Sequence, residues 1–218
     1  MKMLKICAIS DIHRGYNNIY RLQPEIESSD IVVIAGDIGP LKWYTRWEAY
    51  KGAIAQIHKP VLAVHGNWDG SRIQEFLAPY SIHAGFAIVD DIGFFGVGGS
   101  IKTPLHTPVE YTEDEIYNFL CRGFEHIKNQ PIKVLISHNP PKNVCDRTIF
   151  KTNAGSTAIA QFCLDYNIDL CICGHIHEAH GVAQLGNTTV VNAGTFKSGY
   201  YASILVALNG VEAAIKRL

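Results

Sequence analysis

The sequence has almost no net charge: 19 lysines and arginines face 20 aspartates and glutamates, a formal balance of −1. That balance gives no electrostatic case for binding bulk nucleic acid or an anionic membrane surface. No run approaches the ~18 consecutive apolar residues of a membrane span. Only a short apolar stretch separates Lys5 from Ser10 and Asp11, too little for the apolar region of a secretion signal. A cytoplasmic location is therefore expected. Zinc-ribbon cysteine spacing is absent. Of the six cysteines, Cys171 and Cys173 lie two apart on an expected strand, so they face the same side and are poorly placed to bridge. The set reads as reduced core thiols. With no low-complexity segment, linker or fixed-period repeat, residues 1–218 are expected to form a single domain, long enough to bury roughly 70% of its unfolded surface.

What is present is a recurring unit, a short apolar run that empties into polar residues. Leu4 to Ile9 runs into Ser10-Asp11-Ile12-His13, Ile31 to Ala35 into Gly36-Asp37, and Val61 to Val64 into His65-Gly66-Asn67. These runs predict buried strands, and amphipathic stretches from Ile19 to Ile26 and Trp43 to Ile57 predict helices between them. The order βαβαβ implies a parallel sheet with covering helices. A helix is expected over Gly70 to Leu77, then an antiparallel pair around Asp90-Asp91, a loop from Gly98 to Glu110, and a helix opened by Thr112 with Glu115 completing a capping box. Ile132 to Ile136 and Leu170 to Cys173 predict strands that end in Ser137-His138-Asn139 and Gly174-His175-Ile176-His177, with a helix over Ser156 to Tyr166 between them. Thr188 to Val191, Ala202 to Leu208 and Val211 to Ile215 predict the last strands, the final two joined at Asn209-Gly210. Two sheets with outer helices follow.

In α/β sheets, ligands gather beyond the carboxyl ends of the strands. That edge would carry Asp11, His13, Asp37, Asn67, His138, His175 and His177. No thiolate joins the set, which favours Mn, Fe, Zn or Co over copper or a structural zinc. The group is too large for one tetrahedral ion. Two divalent ions about 3.5–4 Å apart, bridged by a carboxylate and a hydroxide, would use all of it and would suit phosphoryl transfer.

The five segments Asp11-Ile12-His13, Gly36-Asp37, Gly66-Asn67-Trp68-Asp69, Ser137-His138 and Gly174-His175-Ile176-His177 resemble the ordered blocks of the calcineurin-like metallophosphoesterase superfamily. The turn His138 to Pro141 is similar to that of its short Icc-like bacterial and archaeal members. The resemblance implies a four-layer αββα sandwich of two mixed sheets flanked by helices. It further implies that Asp11, His13 and His177 hold one metal ion, Asn67, His138 and His175 the other, and that Asp37 bridges them. Asp37, Asn67 and His138 would carry the catalysis. The implied activity is hydrolysis of a small phosphate ester, a diester first of all, by a metal-bridging hydroxide, with manganese among the expected metals. Monoester or nuclease activity, or a protein-binding scaffold on the same fold, are the alternatives; a pure scaffold would have no need to keep every metal-competent position filled. Self-association stays open.

One position departs from the pattern. Many members carry histidine where this chain has Trp68, and indole cannot donate a proton to a leaving group. Its expected role is to contact the substrate, and Asp69 is expected to cap the helix beginning near Gly70. His65 is expected to pack at its strand end and His106 to be a solvated loop residue or a lid over the site. Gly155-Ser156 reads as a helix cap or an anion-binding turn. His58, His83, His126 and His180 have no motif spacing.

Overall fold

A computed structural model describes residues 3–39 and 47–218. The first half runs β1 (Leu4–Ile9), α1 (Asn18–Ser28), β2 (Ile31–Ala35), α2 (Trp47–Ile54), β3 (Val61–Val64) and α3 (Ser71–Leu77). The start of the helix expected from Trp43 falls outside the described residues. Next come β4 (Phe86–Val89), β5 (Ile92–Val97), the short β6 (Ser100–Ile101) and β7 (Glu110–Tyr111), α4 (Glu113–Glu125), β8 (Ile132–Ser137), α5 (Thr157–Asp165) and β9 (Leu170–Cys173). The chain closes with β10 (Gly181–Leu185), β11 (Thr188–Asn192), β12 (Tyr200–Ala207) and β13 (Gly210–Arg217).

Two mixed sheets form, in the orders β13-β12-β1-β2-β3 and β10-β11-β9-β8-β5-β4, with β6 and β7 paired beside them. Side-chain alternation explains why the central strands read as unbroken apolar runs. Ile6, Ala8, Val33 and Ala35 face the second sheet, where Phe94, Val134, Ile136 and Ile172 meet them. Cys7, Ile9, Val32 and Ile34 face the other way, onto Ile19, Leu22 and Ile26 of α1 and Ile73 of α3. On the far side, Leu135, Cys171 and Cys173 pack under Leu120 of α4 and Phe162 of α5. A strand covered on both faces has no polar face to show. The result is the expected αββα sandwich.

The capping box is present: the Thr112 hydroxyl accepts from Glu115 N at 3.2 Å, and Thr112 N donates to Glu115 Oε2 at 2.8 Å. Asp90 and Asp91 turn the β4–β5 hairpin with φ of 48° and 67°, the left-handed pair that matches strand twist. The last hairpin is shifted from expectation. Ala207 pairs with Gly210, so Leu208 and Asn209 form its tip and Gly210 opens β13.

Phe94 is fully buried in the apolar layer between the sheets, so Phe94→Ala should cost about 3–5 kcal/mol. Val182→Ala, on the exposed edge strand β10, should stay within about 0.5 kcal/mol. Urea unfolding of both variants checks the contrast; equal losses would contradict the layering.

Candidate metal centre

The carboxyl ends of β1, β2, β3, β8 and β9 meet across both sheets, and backbone bonds join them one to the next. Asp11 N donates to Gly36 O at 3.0 Å, His13 N to Asp37 O at 3.1 Å, and Gly174 N to His138 O at 3.1 Å. Trp68 N donates to Asp37 Oδ1 at 2.9 Å, and His175 N to Asp11 Oδ2 at 3.0 Å. Asp11, His13, Asp37 and His175 have φ between 43° and 66°, an uncommon region for side chains larger than glycine. Such turns persist where the surroundings over-determine them. The close approach also dictates glycine. A Cβ on Gly174 would stand 2.5 Å from Asp11 Oδ2, and one on Gly66 2.6 Å from Asp37 Cγ.

All seven expected side chains come together. Asp11, His13 and His177 present ligand-type atoms within 4.8 Å of one another, as do Asp11, Asp37 and His138. Since Asp37 Oδ1 is taken by Trp68 N–H, Oδ2 is left to face both sides, 3.6 Å from His13 Nε2 and 3.6 Å from His138 Nε2. Asn67 Oδ1 lies 2.9 Å from His138 Nε2, and the His175 ring stands 5.0 Å from the His138 ring. His177 Nε2 reaches Asp11 Oδ1 at 3.1 Å.

The donor chemistry fits divalent cations. His138 Nδ1 is 2.7 Å from Ala35 O, and a carbonyl only accepts, so Nδ1 carries the proton. A neutral His138 then presents a bare Nε2 lone pair to the bare Asn67 Oδ1. Two acceptors at that distance need a positive charge, either a proton or a cation. Among the described residues His13 Nδ1 is buried without a hydrogen-bond partner, and His13 Nε2 lies 3.6 and 3.9 Å from the Asp37 and Asp11 carboxylates. Asp11 and Asp37 are 0% and 2% exposed, and among the described residues neither has a lysine or arginine in ion-pair contact.

The protonation equilibria reflect this. Burial, then the charges on Asp69 and Asp11, push the Asp37 carboxyl well above its ordinary range. At Asp11 burial is outweighed by the His177 hydrogen bond and the neighbouring histidines, and the carboxyl falls below its usual value. Burial lowers His13, and lowers His175 to about 3, so both imidazoles offer lone pairs. The hydrogen bond to Asp11 raises His177.

Two surrounding residues act otherwise than their local sequence indicates. Asp69 does not cap α3, whose first residue is preceded by Gly70 with no side-chain cap. Instead its carboxylate accepts from Ile38 N at 3.0 Å, Gly39 N at 3.0 Å and Gly66 N at 2.7 Å, fixing the Asp37 turn to the Asn67 turn. Asn192 Nδ2 donates to the Gly174 and Ile176 carbonyls at 3.3 and 3.0 Å, holding the two-histidine segment. An Asp after a strand and an Asn at a strand end carry no distinguishing pattern, so only contacts identify them. Ser156 caps α5, accepting from Ile159 N at 3.2 Å, and Glu113 fills the anion position there by accepting from Thr157 N at 2.9 Å and Ala158 N at 3.0 Å. His65 packs as expected, against His83 and Tyr111. His106 is exposed. Trp68 is half-buried, and its main-chain N–H donates to the Asp37 carboxylate.

Residues 4–179 match the model of the Calcineurin-like phosphoesterase family. An uncharacterized protein of Methanocaldococcus jannaschii is 34% identical over 208 residues, 88% of each chain. Among solved structures, a dimetal phosphatase of Danio rerio superposes with a TM-score of 0.69 at 12% identity over 98% of both chains. A novel archaeal phosphodiesterase does so at 0.56 and 16% identity, over 99% of this chain and all of its own.

Because His177 and Asp37 both hold protons more tightly than usual, a cation entering here must displace them. Apparent Mn²⁺ affinity should therefore rise as pH increases from 6 to 8. Titration calorimetry in buffers of different ionisation enthalpy should show proton release; a flat profile without release would contradict the protonation pattern.

Proposed function

This chain belongs to the calcineurin-like phosphoesterase family and is a phosphoric ester hydrolase, and from that premise we propose a dinuclear metal-dependent phosphodiesterase working as one domain over residues 1–218. The observation that carries it is Asp37, whose Oδ2 lies 3.6 Å from His13 Nε2 and 3.6 Å from His138 Nε2. Asp11, His13 and His177 would hold one ion, Asn67, His138 and His175 the second, and Asp37 both. First-row divalent metals suit this donor set, manganese among them. When bound, two such ions supply a water acidified toward neutral pH as nucleophile and positive charge for the phosphoryl oxygens.

The residues of the chain supply placement and surroundings. Trp68 N–H fixes the Asp37 carboxylate plane, and Asp69 keeps the two turns in register. Buried walls keep the local dielectric low, which strengthens every charge interaction inside. The Trp68 indole N–H can donate a hydrogen bond but is far too weak an acid to protonate a departing alkoxide, so turnover depends on leaving groups that depart unaided or take a proton from water. The indole face instead suits stacking on an aryl or base group of a diester, an interaction of about 1–3 kcal/mol in nucleic-acid sites. The dimetal phosphatase and phosphodiesterase among the structural neighbours are in keeping with this reading. Six free cysteines suit the reducing cytoplasm.

Hydrolysis of bis(p-nitrophenyl) phosphate by chelator-treated, Mn²⁺-reloaded protein should exceed that of the monoester and vanish with chelator. Asp37→Asn should lower kcat/KM by more than Asn67→Ala, since the carboxylate serves both ions. Undiminished Asp37→Asn activity at saturating metal, or monoester preference, would overturn the assignment.

Substitution at Trp68 leaves the backbone donor to Asp37 in place, so it tests the indole alone. Trp68→Ala should raise KM for aryl diesters several-fold. Trp68→His should raise kcat more for alkyl than for nitrophenyl leaving groups. No change in either would confine Trp68 to packing.

A further inference from the structure

The dinuclear reading requires Asn67 to present its amide oxygen, yet an amide turns over easily, and its NH₂ would make the better partner for His138. Flipped, Asn67 Nδ2–H would donate to the bare His138 Nε2, forming a hydrogen bond that captures the lone pair a metal needs. Something must forbid that state. We propose that Thr107 and Glu110 are positioning residues that lock the Asn67 amide with its oxygen toward the metal site. This inference rests on the metal-site reading above.

The lock follows from counting donors and acceptors. Glu110 Oε1 accepts from Thr103 Oγ1 at 2.6 Å, Thr107 N at 2.7 Å and Thr107 Oγ1 at 2.7 Å. Those bonds hold the Glu110 carboxyl ionised, down to about 2. A carboxylate only accepts, so the single hydroxyl proton of Thr107 is committed to Glu110. Thr107 Oγ1 is left as an obligate acceptor, 3.0 Å from Asn67 Nδ2. In the flipped amide, Oδ1 would meet a Thr107 oxygen with no proton to offer, in a place where Thr107 is 7% and Asn67 1% exposed. A buried acceptor pair of that kind is costly. The loop carrying Thr107 is itself sewn to the Asn67 turn: Val109 N donates to Asn67 O at 3.0 Å and Gly99 N to His65 O at 2.8 Å. The irregular stretch from Gly98 to Glu110 thereby sets the polarity of a side chain on another element.

Thr107→Val removes the acceptor. Glu110→Ala frees the Thr107 proton, so the hydroxyl could serve either amide orientation. Thr107→Ser and Glu110→Gln keep an acceptor in place, and the latter separates hydrogen bonding from loss of charge. Mn²⁺ titration of chelator-treated protein, with Co²⁺ absorption as a second probe, reads the two binding steps, and circular dichroism checks folding. One step should weaken about tenfold in Thr107→Val and Glu110→Ala, equivalent to about 1.4 kcal/mol, while the other is retained. Thr107→Ser and Glu110→Gln should stay within about threefold of wild type. Equal loss in Glu110→Gln and Glu110→Ala would mean charge rather than orientation, and would overturn the proposal. So would unchanged steps in Thr107→Val. If Thr107→Val does not fold, the Glu110 pair decides alone. Wild-type protein that fails to take up two ions would defeat the dinuclear reading instead.

Discussion

Two carboxylates, Asp11 and Asp37, sit almost without exposure at the junction of the two sheets, with histidines for company and no lysine or arginine in ion-pair contact among the described residues. Taking a carboxylate out of water costs several kcal/mol even after the protein relaxes, and here only imidazoles offset it: His177 partners Asp11, while Asp37 holds its proton above the ordinary range. The structure nevertheless spends backbone donors on keeping these oxygens in place. Trp68 N–H holds one oxygen of Asp37 and His175 N–H one of Asp11. The left-handed turns, the glycines that admit close approach and the Asp69 clamp all serve the same arrangement. It makes physical sense when positive charge arrives from outside the polypeptide.

The centre also depends on both sheets at once. Ala35 O, at the end of β2, accepts from Ser10 Oγ just past β1 at 2.9 Å and from His138 Nδ1 just past β8 of the other sheet at 2.7 Å. Sandwich packing and His138 tautomer are thereby one problem. Slip the sheets by a residue and the imidazole loses the acceptor that fixes its proton. The apolar layer between the sheets thus acts on chemistry through register, and the polar ends repay it with cross-sheet hydrogen bonds.

Most of this was legible in the sequence for one reason: strands covered on both faces read as uninterrupted apolar runs, and their ends carry the metal-competent residues. What stayed hidden was set by weak local signal. β10 is an edge strand alternating exposed and half-buried residues, and its Gly-Val-Ala-Gln-Leu run looks like a loop. β6 and β7 span two residues each and pair only because the loop folds back. Asp69 was misread because an acidic residue just before a helix usually caps it, whereas here three amides on the two neighbouring turns outcompete that use. Thr107 and Glu110 lie forty or more residues beyond Asn67 in the chain, and no spacing rule connects them. The missing histidine at Trp68 was plain from the start, although its effect on the Asp37 carboxylate runs through a backbone N–H that any residue would supply.

The most direct measurement is anomalous scattering from crystals of the protein loaded with Mn²⁺. Two anomalous peaks about 3.5–4 Å apart, on either side of Asp37 Oδ2, are the expected result, one next to Asp11, His13 and His177 and the other next to Asn67, His138 and His175. A single peak at full loading, or peaks that leave Asp37 outside coordination distance, would contradict the dinuclear centre.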